Sequence, residues 1–213
     1  MSTLPPDASS SLCGLSLAER DAIMPIRHLQ RRREFIAARR LAKSLLARHE
    51  LLADHPPAER ITILPHTGGP SQRPCITVDR EPQPLDISIT HASGWVAVAI
   101  ATEHRIGIDL VAPREVRADR LAAWMTPAER ELAAVESLHL AELWAMKEAA
   151  YKATNENEPF RPADFPVVAD RGWTCGGCSI LLLPMGRLTL ALATADPALF
   201  RDPTKFYFER RRV

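Results

Sequence analysis

Apolar residues recur along this chain with two different periods. In "IRHLQRRREFIAARRLAKSLLARHELLA", Phe35, Leu41, Leu45, Leu46 and Leu52 fall near helical spacing, which predicts one long helix. Just before it, "SLAERDAI" places Ser16 three residues ahead of Glu19, the capping-box pattern of a short helix. Pro65, Pro70, Pro74, Pro82 and Pro84 follow and predict extended segments and turns. "LDISITH" and "GWVAVAIA", separated at "ASG", read as a hairpin, and "RIGIDLV" as a further strand. The second half repeats the order. Thr126, Pro127 and Glu129 in "MTPAERELAAV" start a helix with another capping box. "LWAMKEAAYKA" continues with an apolar stripe of Leu143, Met146, Ala150 and Ala153. Beyond the polar loop "TNENEPFRPADF", the runs "GWTCGGCSILLLP" and "GRLTLALAT" predict antiparallel strands. Helix followed by strands thus occurs twice, which predicts an α+β fold of two subdomains. The expected division is a disordered, Pro- and Ser-rich segment at 1–14, an N-terminal subdomain at 15–104 and a C-terminal subdomain at 105–213.

Composition narrows the class. With 213 residues, 46% hydrophobic and 25% charged, the chain can bury a sizeable core. It has no apolar run long enough for a spanning helix, so no membrane association is expected. "MSTLPPDASSSLCGL" lacks the basic start and apolar stretch of a signal peptide, and a cytoplasmic location follows as the expectation. Of the four cysteines only Cys175 and Cys178 are close, and "CGGC" reads as a hairpin turn more readily than as a zinc half-site. Formal net charge is +1, so the whole protein is not a polyanion binder. Between Arg27 and Arg48, however, eight Lys or Arg face one acid, Glu34. A phosphate, a nucleic acid or an acidic protein would suit such a surface.

Taken singly, the candidate chemical residues have ordinary explanations. Asp109 ends an apolar strand, where a carboxylate is costly to bury alone, yet strand-end aspartates often turn back to backbone amides. Glu148 and Lys152 have the favourable i, i+4 order of a surface pair. His91 suits a hydrogen-bonded turn, and the arginines of the long helix suit a solvated face.

Together and in this order they resemble a known family. "IGIDL" followed by "WAMKEAAYK" is similar to the two signature motifs of the 4'-phosphopantetheinyl transferases: a strand ending in aspartate, then Trp-x-x-Lys-Glu-x-x-x-Lys on a helix. Trp144, Lys147, Glu148 and Lys152 match each named position. "RPCI", "SITHASGWVAVA" and the basic helix resemble segments of the larger, Sfp-type (surfactin- and enterobactin-type) branch, and "MTPAE" its helix start.

The resemblance implies two similar α+β subdomains in one chain with the active site in the cleft between them, and a monomer. It implies transfer of 4'-phosphopantetheine from coenzyme A to a serine of an apo acyl or peptidyl carrier protein, releasing adenosine 3',5'-bisphosphate. The pathways served by such carriers are fatty acid, polyketide and nonribosomal peptide synthesis. Mg²⁺, with Mn²⁺ as an alternative, would be held by Asp109 and Glu148, since Mg²⁺ takes one or two carboxylates plus substrate phosphates. Glu148, Lys152 and Glu129 are the implied catalytic residues. Lys147, Lys152, Thr90, His91, Arg73, Arg39 and Lys43 are the implied coenzyme A contacts. One position departs from the branch: Val111 stands where a second acid is common, and it cannot ligate a metal. Two competing readings remain. One is a non-catalytic relative that binds coenzyme A or a carrier protein; the other is a nucleic-acid-binding protein using residues 27–48, against the expectation of no nucleic acid partner.

Overall fold

The computed structural model describes residues 12–65, 73–154, 158–170, 172–202 and 205–213. Most of the segment expected to be disordered, 1–14, lies outside these. Residues 12–14 of it are described, and the carbonyl of Gly14 accepts from Lys43 Nζ at 2.9 Å.

The first half opens with α1 (Leu17–Ile23), capped by Ser16 and Glu19 as expected, and α2 (Leu29–Arg48). The strands β1 (Ile61–Pro65), β2 (Pro74–Val78) and β3 (Glu81–Pro82) form a small antiparallel sheet in that order. A hairpin follows, β4 (Asp86–Ala92) and β5 (Trp95–Ala101), and then β6 (Ile106–Val111). The second half continues with α3 (Ala118–Ala122), α4 (Pro127–Val135) and α5 (Leu140–Thr154). It closes with β7 (Val167–Ala169), β8 (Trp173–Cys175), β9 (Cys178–Met185), β10 (Leu188–Thr194) and β11 (Phe206–Arg212). The chain is mixed α+β, with five α-helices and three sheets among the described residues.

Two sheets form the middle of the molecule: β11-β5-β4 and β6-β10-β9-β8-β7. Alternation along the strands determines what each face meets. Val96, Val98 and Ile100 of β5 pack against α2, whereas Ala97, Ala99 and Ala101 face the other sheet. On β10, Leu188, Leu190 and Leu192 face inward and Ala191 and Ala193 lie under α5. The packing order is therefore α2, sheet, sheet, α5. Strands buried on both faces read as unbroken apolar runs, which is why "WVAVAIA" shows no polar alternation.

Three close contacts set the geometry of the site. The first is Gly107. A Cβ there would lie 1.9 Å from the Ala149 carbonyl oxygen and 2.6 Å from Ala153 N, so only glycine lets α5 approach β6 this closely. The second is a ladder from β4: Asp86, Ser88 and Thr90 accept from the backbone N–H groups of Ile106, Ile108 and Leu110 at 2.7, 3.0 and 3.2 Å. Side chains of one strand thereby satisfy the backbone donors on the edge that β6 turns away from β10. The third is the turn at Gly176 and Gly177, whose φ values of 53° and 79° join β8 to β9 with Cys175 opposite Cys178. That confirms "CGGC" as a hairpin turn; burial pushes the Cys175 thiol up to about 12. Strand β11 was not anticipated from the sequence. It carries the C-terminus back onto β5 of the first half, with Phe206 and Phe208 packed between the two sheets.

Candidate active site

Asp109 projects from β6 on the α5 side, between Gly107 and Val111, and is 8% exposed. Its Oδ1 accepts from Thr90 Oγ1 at 2.9 Å and from Lys152 Nζ at 2.6 Å. Glu148, one turn before Lys152 on α5, accepts from the Trp144 indole N–H at 2.7 Å and stands 3.5 Å from Lys152 Nζ. The close approach at Gly107 is what brings these two acids and one ammonium together. Burial, then the nearby Asp109 charge, raise the Glu148 carboxyl above the usual carboxylate range, although Lys152 and Trp144 oppose this. For Lys152, burial works toward a lower value, but Asp109 and Glu148 outweigh it and hold the ammonium above its usual range. A carboxylate whose charge is disfavoured by a neighbouring carboxylate is equally suited to a shared cation.

These acids open onto a cleft of about 410 Å³ lined by His91, Ser93, Asp109, Val111, Trp144 and Glu148, among others. Small-molecule sites are commonly clefts of ~300–1,000 Å³. The cleft wall also contains Glu115, which the sequence reading did not single out. Its carboxylate accepts from Ser93 Oγ at 2.5 Å and pairs with Arg187 at 3.4 Å. His91 borders a second, mostly apolar hollow of about 160 Å³ that holds Phe35, Arg31 and Arg39. Its Nδ1 lies 3.5 Å from Glu34. The Arg39 guanidinium stacks 3.7 Å from the Phe35 ring centroid, and burial lowers it to about 10, where it is still a cation at neutral pH.

Several residues expected at the site have other partners. Lys147 is fully buried and points away from the cleft, toward Glu129 Oε1 at 2.5 Å and the carbonyls of Pro162 and Phe165, each at 2.9 Å. An ammonium has three donors, and all three have acceptors here. Glu129 in turn accepts from Thr126 N and Val167 N. Burial favours its neutral form, but Lys147 and those two amides prevail and keep it below the usual range. Lys147, expected to bind phosphate, and Glu129, expected to transfer a proton, thus form a buried pair with each other in this structure.

Lys43, expected at a 3'-phosphate, is buried in the same way, against Glu19 at 2.5 Å and the carbonyls of Gly14 and Ala58. Thr90, expected to contact coenzyme A, gives its single hydroxyl proton to Asp109 here. Arg73 pairs with Asp86 at 2.6 Å and lines a separate hollow of about 210 Å³ with Tyr151 and Lys152, apart from His91.

A metal ion suits part of this arrangement. Asp109 and Glu148 supply hard oxygen donors, and their mutual repulsion would be relieved by a cation between them. Among the described residues there is no group of three or more His, Cys, Asp and Glu able to hold a metal. The donor set therefore fits a Mg²⁺ that takes its remaining ligands from substrate phosphates and water, in keeping with Val111 closing the third position.

Fold and site together define a mixed α+β chain in which, where β6 meets α5, two acids face a cleft and a lysine pairs with both. Residues 105–184 match the family model of the 4'-phosphopantetheinyl transferase superfamily. The matched segment contains Asp109, Glu148 and Lys152, but not Arg39, Arg73, Thr90 or His91. No curated protein matches the chain. Among the described residues, no helix is long and apolar enough to cross a membrane.

Proposed function

We propose that this chain is an Sfp-type 4'-phosphopantetheinyl transferase, moving phosphopantetheine from coenzyme A to a serine of an apo carrier protein. The observation that carries the reading is the convergence of Asp109 and Glu148 on a ligand-sized cleft, with Lys152 paired to both, within the segment that matches the superfamily. In the reaction, the serine oxygen bonds to the β-phosphorus while the bond from that phosphorus to the bridging oxygen breaks. Adenosine 3',5'-bisphosphate leaves. Glu148, whose proton affinity burial and Asp109 raise, takes the serine proton. Lys152 keeps its positive charge between the two acids and steadies the phosphate-facing side of the site. A Mg²⁺ held by Asp109 and Glu148 would neutralise charge on the pyrophosphate. Thr90 and Trp144 fix the orientation of these carboxylates through one hydrogen bond each.

Coenzyme A would lie along His91, with its adenylate end toward the hollow that holds Phe35, Arg31 and Arg39. An aromatic face beside two guanidiniums suits a base and a phosphate together. The two halves, 15–104 and 105–213, would be the subdomains flanking the cleft, and a single chain would suffice for the site. A nucleic-acid role for residues 27–48 is less favoured, because Arg39, Arg40, Lys43 and Arg48 each have acceptors within the chain.

The deciding experiment is mass spectrometry of apo acyl and peptidyl carrier proteins incubated with the protein, coenzyme A and Mg²⁺. A gain of one phosphopantetheine group on the carrier serine is expected. No adduct on fatty-acid, polyketide or peptide-synthetase carriers would overturn the reading in favour of a non-catalytic binder, the alternative that Val111 supports.

A further inference from the structure

We infer that Glu34 is a positioning residue for His91, holding the imidazole so that Nε2 donates to a phosphate of the donor. The ligand, coenzyme A, comes from the reading above, on which this role rests. Glu34 is the one acid among eight Lys or Arg between Arg27 and Arg48. On a basic helix such an acid is expected to face solvent and pair with a guanidinium one turn away, here Arg31. It does neither. Arg27, Arg31 and Arg33 are exposed, whereas Glu34 is 9% exposed. Among the described residues its ion pair is with His91 on β4 and with no arginine of α2.

The two carboxylate oxygens have separate partners. Oε1 accepts from Gln30 Nε2 at 3.0 Å, one turn earlier on α2, and Oε2 lies 3.5 Å from His91 Nδ1. Successive side chains of a strand point to opposite faces, so β4 directs Thr90 to Asp109 and His91 to α2. Of the described residues that line the acid cleft and the Phe35 hollow, His91 alone belongs to both. A ligand running from one to the other must pass its ring.

The outer torsion of a histidine is broad and roughly two-fold, so an unheld ring can present either edge. With Nδ1 turned to Glu34, Nε2 is the nitrogen left for the ligand. A ring that donates from Nδ1 to a carboxylate and from Nε2 to a phosphate carries both protons and is a cation. Each bond is then charge-assisted, about twice as strong as a neutral one. Arg31 and Arg39, which line the hollow, repel that cation; Asp109, Glu115 and Glu148, which line the cleft, attract it. Glu34 is the carboxylate on its α2 side. An acid in the wall of a phosphate site works against the ligand unless a cation stands between them, and His91 is that cation.

The test uses adenosine 3',5'-bisphosphate, which keeps the adenylate phosphates and has no group to transfer. Glu34→Gln preserves shape and removes the charge. By calorimetry it should weaken bisphosphate binding about tenfold, the scale of one hydrogen bond to a charged group. In carrier modification it should raise KM for coenzyme A by a like factor and lower kcat far less, and Glu34→Asp should recover part of the loss. His91→Gln should weaken binding to a similar extent, and Glu34→Gln added to it should have no further effect. Nitrogen NMR of the histidine-labelled wild-type chain, with His91 identified by its loss in His91→Gln, should show both ring nitrogens protonated in the bisphosphate complex. Thermal melting verifies folding, and the NMR measurement needs no Glu34 variant. Wild-type affinity in folded Glu34→Gln would overturn the inference. So would an equal loss in the His91→Gln background, or a bound ring with one protonated nitrogen. Carrier modification by the wild-type chain would in each case leave the transfer reading standing. Absence of carrier modification, with the binding and NMR results as expected, would remove only the transfer reading and leave the role of Glu34 in place.

Discussion

Glu148 is a carboxylate whose surroundings disfavour its charge. Burial and Asp109 raise its proton affinity, so the folded state binds its proton more tightly than the unfolded chain does. Its contribution to stability is therefore present below the unfolded carboxylate value and lost as pH rises through the raised folded value. In the presence of a chelator, Glu148→Gln should melt higher than wild type at neutral pH, with the difference closing on acidification, while carrier modification is largely lost. A variant that melts lower at neutral pH would refute this balance. Glu129 has the opposite sign. Its folded value is lowered, so it stabilises the protein above the usual carboxylate range and ceases to do so as pH falls through the lowered value. Lys147→Met leaves Glu129 buried without its counter-charge and should cost about 3–5 kcal/mol in urea unfolding at neutral pH. The loss should shrink in acid, where Glu129 becomes neutral. The adjacent residues Lys147 and Glu148 thus do different work, because successive helical positions face about 100° apart.

Among the elements, the pairing of α5 with β6 is decisive. Gly107→Ala would put a methyl group into the Ala149 carbonyl, so helix and strand must separate. The expected cost is about 3 kcal/mol, at the upper end of ordinary overpacking. Carrier modification should fall further than stability alone explains, because Asp109 and the pair Glu148 and Lys152 lie on opposite sides of that contact. A variant with normal melting and normal turnover would show that the approach is not needed. The polar alternation of "LDISITH" has a related lesson. It suggests one wet face, yet Asp86, Ser88 and Thr90 are directed onto the backbone of β6. Alternation in a strand identifies its two faces without saying what covers either one. Ser88 and Thr90 are buried because their hydroxyls replace the strand partner that β6 lacks.

At the scale of the whole molecule, the last strand ties the chain together. Strand β11 hydrogen-bonds along β5 from Phe206 to Arg212 and fills the space between the sheets with Phe206 and Phe208. Ending the chain before Phe206 should abolish cooperative melting, because β5 loses a partner and the shared core loses two aromatic rings. A truncated chain with an intact sharp transition would show that the halves are held together without it.

The order of helices and strands was legible because local signals carry it: the capping boxes at Ser16 and Thr126, the apolar periods, and the Gly-Gly turn. Asp109, Glu148 and Lys152 were legible as a set because their spacing resembles a family motif, and the match over residues 105–184 covers all three. What the sequence could not decide was the direction of each charged side chain. Lys43 pairs with Glu19 and Lys147 with Glu129, each pair buried; Thr90 donates to Asp109, and Glu115, which the sequence did not single out, lines the cleft. A side chain's partner depends on which segments distant in sequence fold against it, and burial raises the energetic stake of that choice. The sequence alone determined the elements and the residues with chemical potential. Only the tertiary structure decided which of them meet at the cleft, since that follows from Gly107 admitting α5 and from β4 and β11 closing the sheets.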